Sequence, residues 1–172
     1  MLKLTGAIMI CISSFLFGLK KAAILERRVQ LLNDMEKSLI LLGGEIKYAS
    51  ATLPEALLSV SRRTRGAIGD FYRAVYQNIR MESDKGFGEV WNEAVDLFLC
   101  DEEAMKGDAD LLKEPGNQLG HLDISMQLKT IELCISRINL RQDEAIESNK
   151  AKSRVYKTFA AACGVLLTLV LL

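Results

Sequence analysis

Charged residues are absent from both ends of this chain, and their absence constrains the fold more than any other feature of the sequence. Residues 4–19 and residues 158–172 contain no Asp, Glu, Lys or Arg. All the acidic residues, and every basic residue except Lys3, lie between Lys20 and Lys157. Two apolar ends around a charged middle predict a membrane segment at each end and a separate domain between them.

Each apolar end is short for a membrane span. Sixteen helical residues extend about 24 Å, whereas the hydrocarbon core is about 30 Å thick. Long basic side chains at the edges make up the difference by reaching the head groups: Lys3, Lys20, Lys21 and Lys157.

Each end also has an alternative interpretation. The first run ends at Gly18 and Leu19 and then meets two lysines, with no small-residue cleavage site, which favours an uncleaved anchor over a signal peptide. The second run could instead be a buried C-terminal core helix. A helix packed on a soluble core keeps a polar stripe, and this segment has none, so a membrane helix is favoured.

The basic residues next to the apolar ends predict the orientation. One cluster follows the first end and one precedes the second: Lys20, Lys21, Arg27 and Arg28, then Lys150, Lys152, Arg154 and Lys157. By the positive-inside rule both clusters place the middle domain in the cytoplasm and both termini across the membrane. The predicted organisation is an N-terminal membrane anchor over residues 1–21, a cytoplasmic helical bundle with a polar stalk over 22–155, and a C-terminal membrane helix over 156–172.

Apolar residues in the middle domain recur at steps of three and four, the period of an α-helix. The first such series is Leu25, Val29, Leu32, Met35, Leu39, Leu42 and Ile46. Gly43-Gly44 interrupts it, which predicts close approach of a neighbouring helix. Thr52-Leu53-Pro54-Glu55 predicts the start of a second helix with a capping box, and Arg65-Gly66 separates that helix from a third.

Three further helices complete the predicted domain. The fourth carries Val90, Trp91, Ala94, Leu97 and Phe98, and the fifth spans Asp108 to Leu119, where Pro115-Gly116 is expected to shorten or kink it. Asp123 caps a long final helix, which turns polar beyond Leu140 as an exposed stalk would. The aromatic residues at helical spacings are expected in the core: Phe71, Tyr72, Tyr76, Trp91 and Phe98. The fold class is all-α, an antiparallel bundle of five or six helices flanked by an N-terminal and a C-terminal membrane helix.

Residues that carry out catalysis or bind metals are scarce. His121 is the only histidine, and the four cysteines, at positions 11, 100, 134 and 163, form no metal-binding spacing. No phosphate-binding loop, dinucleotide fingerprint, nucleophile elbow or zinc-protease motif occurs. We therefore expect no enzymatic activity, no cofactor and no metal, and the zero net charge gives no indication of nucleic-acid binding.

The charges of the middle domain are segregated along the chain. Residues 62–80 contain five arginines and one aspartate, and residues 82–114 contain eleven acidic residues and three lysines. The two stretches either form solvated faces that neutralise each other or serve as docking surfaces for partners. Under the second interpretation the partner-binding candidates are Arg62, Arg63, Arg65, Asp101, Glu102 and Glu103, and the arginines could meet an acidic protein or lipid head groups.

Short motifs spread over the whole chain carry a family resemblance. They are Met1 to Leu4, Leu42 with Glu45 to Tyr48, Thr52 to Leu57, Val90-Trp91, and Leu119, Gly120, Leu122 and Asp123 with Gln127. In this order and spacing, the chain resembles the stage III sporulation protein AB family of endospore-forming bacteria. It departs at Pro115-Gly116, where that family more usually has an aromatic–glycine pair. The resemblance marks as structural motif residues Glu45, Tyr48, Thr52, Pro54, Glu55, Trp91, Gly120 and Asp123.

The resemblance implies a function that the residues alone do not. It implies a subunit of the trans-envelope complex between mother cell and forespore, on the mother-cell side of the outer forespore membrane. The soluble part of that family is similar to the cytoplasmic domain of the inner-membrane platform proteins of type II secretion and type IV pilus systems. By that similarity the chain would anchor a secretion-type ATPase of the same set, stage III sporulation protein AA, next to other membrane subunits of the complex.

Two other functions are compatible with parts of the sequence. One is a two-span membrane receptor with a ligand-binding helical bundle. Its bundle would face outward and an output domain would follow the second span, whereas here the lysines lie on the bundle side. The other is a small soluble enzyme with an apolar tail, which would need no detergent to stay in solution. Association of several copies is left open by the sequence.

Overall fold

The computed structural model describes the backbone of residues 2–49, 51–81, 84–100, 103–105, 107–120 and 123–171. Side chains are described at residue 16 and over residues 20–49, 51–81, 84–99, 104–105, 107–120 and 123–150. Over these residues the chain contains six α-helices and no strand, which confirms the all-α prediction. The helices are α1 (Leu2–Tyr48), α2 (Leu53–Arg63), α3 (Gly66–Met81), α4 (Phe87–Val95), α5 (Asp110–Leu119) and α6 (Ile124–Leu171). A π-helical turn over Asp96–Cys100 continues α4, and a 3₁₀ turn covers Glu103–Met105.

The two long helices, α1 and α6, pack against each other in opposite directions. A Cβ placed on Gly43 of α1 would lie 3.6 Å from Ile131 of α6. Seven residues earlier in α1, the Glu36 carboxylate accepts a hydrogen bond from Gln142 Nε2 at 3.1 Å, eleven residues later in α6. Because the numbering rises in one helix as it falls in the other, the start of α1 and the end of α6 extend from the same end of the bundle. We call that end the open end and the end near Tyr48 and Ile124 the closed end.

The apolar series of α1 is buried where α1 meets the other helices. Leu32, Met35, Leu39, Leu42 and Ile46 are at most 3% exposed, whereas Leu25 and Val29, nearer the open end, are only partly buried. The close approach of a neighbouring helix, predicted for Gly43-Gly44, is found at one of these two residues. Gly43 contacts α6, but nothing lies within 4 Å of a Cβ at Gly44.

Helix α2 begins with the predicted capping box. The Glu55 carboxylate accepts hydrogen bonds from the backbone N–H and from the hydroxyl of Thr52, at 2.9 and 2.8 Å. The Thr52 hydroxyl, and secondarily its backbone N–H, holds the pKa of Glu55 below its ordinary value. The separation from α3 also falls at the predicted place, because Gly66 has a φ of +66° and begins the next helix.

The aromatic core lies where α3 and α4 meet. Phe71, Tyr72 and Trp91 are fully buried, and Tyr76 and Phe98 are partly buried. The ring of Phe71 stands edge-on to Trp91 with centroids 4.9 Å apart, and the Trp91 indole N–H donates to the Leu112 carbonyl oxygen at 2.6 Å. Burial raises the pKa of Tyr72, whose hydroxyl oxygen accepts a hydrogen bond from Ser38. The predicted core position of the aromatic residues is therefore confirmed.

The fourth helix departs from the prediction at Leu97, which was expected on its apolar face. Leu97 is 65% exposed, and Leu99 is fully buried instead. The π-helical turn over Asp96–Cys100 explains the difference, because a wider turn rotates each following side chain relative to an α-helix.

The fifth helix was expected to be shortened or kinked at Pro115-Gly116, but it continues through both residues to Leu119. It also begins at Asp110, two residues later than predicted. A proline cannot donate a hydrogen bond to the carbonyl four residues before it, which here belongs to Leu111. The Cys134 thiol of α6 approaches that carbonyl oxygen at 3.3 Å and satisfies it. A contact with α6 therefore offsets part of the cost of the proline.

Burial also lowers the reactivity of Cys134. Burial raises the pKa of the Cys134 thiol from 9.0 to about 12, and only the thiolate reacts with alkylating reagents. We expect iodoacetamide at pH 8 to modify Cys134 at least tenfold more slowly in the folded chain than in urea, as measured by peptide mass spectrometry. Because the unfolded thiol ionises first, the contribution of Cys134 to stability is complete below about pH 9 and is lost as the pH rises toward 12. Equal labelling rates in the folded and unfolded chain would contradict this burial.

The stalk predicted beyond Leu140 is less exposed than expected. Ala145 is fully buried, and Gln142 makes the hydrogen bond to Glu36 described above. The polar residues of this segment still belong to the contact between α6 and α1, because that contact uses side-chain hydrogen bonds and a small residue rather than large apolar groups. One side of this segment therefore packs on the bundle, while six of its ten residues are exposed: Arg141, Asp143, Glu144, Ile146, Glu147 and Lys150.

Candidate interaction surfaces

The arginines predicted to bind a partner lie at the end of α2. Arg62, Arg63 and Arg65 are all exposed. Arg63 forms a 3.1 Å ion pair with Glu45 of α1, and Ser59 donates to the same carboxylate oxygen at 2.9 Å. We call these three arginines the arginine cluster. Glu45 lies three residues from the end of α1, so the cluster is at the closed end of the bundle.

The acidic stretch is described by the structure only in part, and its described charges are distributed over several contacts. Many of its charges are engaged within the bundle: Lys113 pairs with Asp96 at 2.7 Å, Lys85 with Glu93 at 2.9 Å, and Arg137 with Glu114. Hydrogen bonds with Asp96, and then with Asp110, raise the pKa of Lys113. Asp101 and Glu102 lie outside the described residues, and the Glu103 side chain does as well, so the acidic half of the prediction stays a prediction.

One acidic residue of this stretch is a buried structural group. The Asp108 side chain is 2% exposed and accepts two hydrogen bonds from the Arg28 guanidinium of α1, one of them at 2.9 Å. Arg141 of α6 approaches the same carboxylate at 4.0 Å. The hydrogen bond with Asp108 raises the pKa of Arg28 further above its ordinary value, against the effect of burial. Counting Asp108 in a solvated docking surface was wrong, because this carboxylate joins both long helices to the connection before α5.

Nothing in the sequence indicated this cluster. Arg28 and Asp108 are 80 residues apart, and each was interpreted through its neighbours, Arg28 as an orientation signal and Asp108 as part of an acidic run. The turn that presents Asp108 needs Gly107, whose φ is +93°. Because local composition does not encode which distant charges meet, only the packing of α1, α6 and this turn brings them together.

The residues marked by the resemblance have structural roles. Asp123 caps α6 through the Met126 N–H at 3.0 Å, Gln127 donates to the Leu119 carbonyl oxygen at 2.8 Å, and a Cβ on Gly120 would lie 2.7 Å from Phe87 Cβ. The capping box, Trp91 and Glu45 are described above, and Pro54 lies in the first turn of α2. Tyr48 differs because it is 78% exposed, with Lys47 over its ring.

Comparison with known proteins identifies the family. The family model of stage III sporulation protein AB matches residues 3–172. The chain belongs to the stage III sporulation protein AB family. It is 23% identical to the stage III sporulation protein AB of Bacillus subtilis (strain 168), over the full length of both chains. No solved structure matches the chain.

Membership of the stage III sporulation protein AB family makes this a sporulation protein, and the helical bundle is its described domain. Most side chains of the two apolar ends lie outside the described part of the chain. Within the described part, no helix has a stretch both long enough and apolar enough to cross a membrane.

Proposed function

We propose that this chain is a non-enzymatic membrane platform subunit of the mother cell–forespore trans-envelope complex. In this role it holds a cytoplasmic secretion-type ATPase, stage III sporulation protein AA, at the outer forespore membrane. The bundle faces the cytoplasm, the two apolar ends lie in the bilayer, and other membrane subunits of the complex surround it. No cofactor, metal or nucleic acid takes part in this function.

The observation that carries the proposal is the antiparallel packing of α1 and α6. Because these helices run in opposite directions, residues 4–19 and 158–171, which carry no charge, extend from the same, open end of the bundle. Basic residues flank both segments on the bundle side, as in a cytoplasmic domain. This arrangement suits a protein held at two points of one membrane.

The position of the arginine cluster supports a protein partner rather than lipid. Arg63 pairs with Glu45, which is 25 residues along α1 from Lys20. At about 1.5 Å per residue the cluster stands about 37 Å from the edge of the first apolar segment. The Debye length at physiological salt is about 8 Å, so head-group charge is screened at that distance. An acidic surface of a soluble protein docked on the closed end would meet these arginines.

Binding of the ATPase to the full chain in detergent tests this proposal. We expect Arg62→Glu with Arg65→Glu to weaken binding roughly tenfold, chiefly by slowing association, because exposed charges steer the encounter of two proteins. Arg63 is left in place, since it also pairs with Glu45. Surface plasmon resonance at two salt concentrations gives the affinity and the association rate.

The matched control makes the same change in net charge on a different helix. Arg73→Glu with Arg80→Glu reverses two exposed arginines of α3, and this variant is expected to bind the ATPase normally. If the variant at Arg62 and Arg65 also bound normally, the arginine cluster would be excluded as the docking site. Failure of the unaltered chain to bind the ATPase, or its recovery from sporulating cells without detergent, would contradict the platform proposal itself.

A further inference from the structure

Helix α6 carries a line of exposed apolar side chains on the side that faces away from the bundle. Met126, Leu133 and Leu140 are 48%, 54% and 64% exposed, and they are seven residues apart. Residues seven apart lie nearly above one another on a helix. On a helical projection this line is opposite Ile131 and Gln142, which contact α1, so no described part of the same chain covers it. Glu147 continues the line toward the open end.

A second line of residues runs along the outer side of α1, opposite Glu36 and Gly43. It consists of Lys20, Arg27, Asp34, Leu41 and Tyr48, again seven apart. Tyr48 is 78% exposed, Lys20 and Arg27 are exposed, and Asp34 is partly buried. Leu41 is also partly buried, because part of its side chain packs against the core of its own chain. The two lines therefore lie on opposite outer sides of the helix pair.

The two lines are complementary when α6 of one copy lies beside α1 of another. The Gly43–Ile131 contact within the chain, where the two helices approach each other closely, defines which residues stand at equal height. At that height Met126 meets Tyr48 and Leu133 meets Leu41, while Glu147 meets Arg27. Asp34 stands beside Leu140, one helical turn from Arg137. Apolar residues thus face apolar residues near the closed end, and opposite charges meet near the open end.

Pairing of α6 with α6 is less favourable in either direction. A parallel pair would bring Lys129 against Lys129 and Asp143 against Asp143, since both flank the line. An antiparallel pair would point the open ends of the two copies in opposite directions. Copies anchored in one membrane hold corresponding residues at the same height above it. This condition rests on the proposed function.

We infer that copies of this chain assemble head to tail, with Met126, Leu133 and Leu140 of α6 packed on the outer face of α1 of the next copy. In an open row, the copy at one end keeps an unused α1 face and the copy at the other end keeps an unused α6 face. Such an interface closes into a ring or continues as an open row rather than stopping at a dimer.

Photocrosslinking of the full chain in membranes tests the contact directly. With p-benzoylphenylalanine at position 133, we expect illumination to give covalent dimers and larger species. Mass spectrometry of the crosslinked peptides should then place the second site on α1, near Leu41 and Tyr48. Crosslinks to α6 of another copy, crosslinks to other proteins alone, or no crosslinks would each overturn the inference.

Analytical ultracentrifugation of the full chain in detergent provides the second measurement. We expect Leu133→Glu to weaken self-association roughly tenfold or more, because it places a charge in the middle of the apolar contact. Leu97→Glu changes another exposed leucine, which lies on the π-helical turn, and should leave self-association unchanged. Unaltered thermal unfolding of both variants shows that the bundle is intact. A chain that is monomeric at all concentrations, or an equal loss of self-association in both variants, would contradict the proposed interface. The proposed function is tested separately, by the binding of the ATPase.

Discussion

Replacing Gly116 with alanine is expected to destabilise the bundle by up to about 3 kcal/mol. A Cβ at this position would overlap the indole ring of Trp91, lying 2.8 Å from Nε1 and closer still to two ring carbons. The ring cannot retreat, because Phe71 and Phe87 pack against it with centroids 4.9 and 5.6 Å away. Overpacking of a core costs about 1–3 kcal/mol, and loss of the indole hydrogen bond to Leu112 adds about 1 kcal/mol. The gain in helix propensity, about 1 kcal/mol, offsets only part of this.

Urea denaturation followed by the fluorescence of Trp91 measures this effect, since Trp91 is the only tryptophan. The control is Gly44→Ala, also in a helix, where nothing lies within 4 Å of the added Cβ. That variant is expected to be as stable as the unaltered chain or more stable by up to about 1 kcal/mol. If both alanines had the same effect, the close packing of α5 on Trp91 would be refuted.

Replacing Asp108 with alanine is expected to cost about 2–3 kcal/mol. The substitution leaves the Arg28 guanidinium partly buried without its carboxylate partner and weakens the attachment of α6 through Arg141. Removing one partner of a buried pair costs about 3–5 kcal/mol. The lower value is expected here because the Arg28 side chain is 25% exposed and water can reach it.

Asp110→Ala is the matched control for this substitution. Asp110 lies two residues away and pairs with Lys113 at 3.3 Å, but its side chain is 78% exposed. Exposed ion pairs contribute little, so its urea midpoint should change far less than that of Asp108→Ala. Similar midpoints for the two variants would show that the Arg28–Asp108 pair does not hold the helices together.

The local signals in the sequence predicted the helices well. The steps of three and four in α1 identified Leu32 to Ile46 as buried, and Thr52 with Glu55 located the start of α2. Both signals act within a few residues of the chain, because they depend on helix geometry and on orphan N–H groups at a helix start. The arginine cluster was also visible in the sequence, but its distance from the open end was not.

Errors arose where a distant contact overrode a local signal. Pro115-Gly116 was expected to shorten or kink α5, yet the helix continues through both residues, supported by the packing of Gly116 on Trp91 and by the Cys134 thiol at the Leu111 carbonyl. Leu97 follows the apolar period of α4, but the π-helical turn moves it outward. In both places the local preference contributes a few kcal/mol of free energy at most. The free energy gained by burying neighbouring apolar groups is larger.

By itself, the sequence determined the helical class, the caps and the unequal distribution of charge along the chain. Those features follow from preferences that act over one or two helical turns. The tertiary structure alone decided that α1 and α6 run side by side in opposite directions, that Asp108 is buried between Arg28 and Arg141, and that the line from Met126 to Leu140 faces outward. These outcomes depend on which helices meet, and that choice is made by packing summed over the whole bundle rather than by any local stretch of residues.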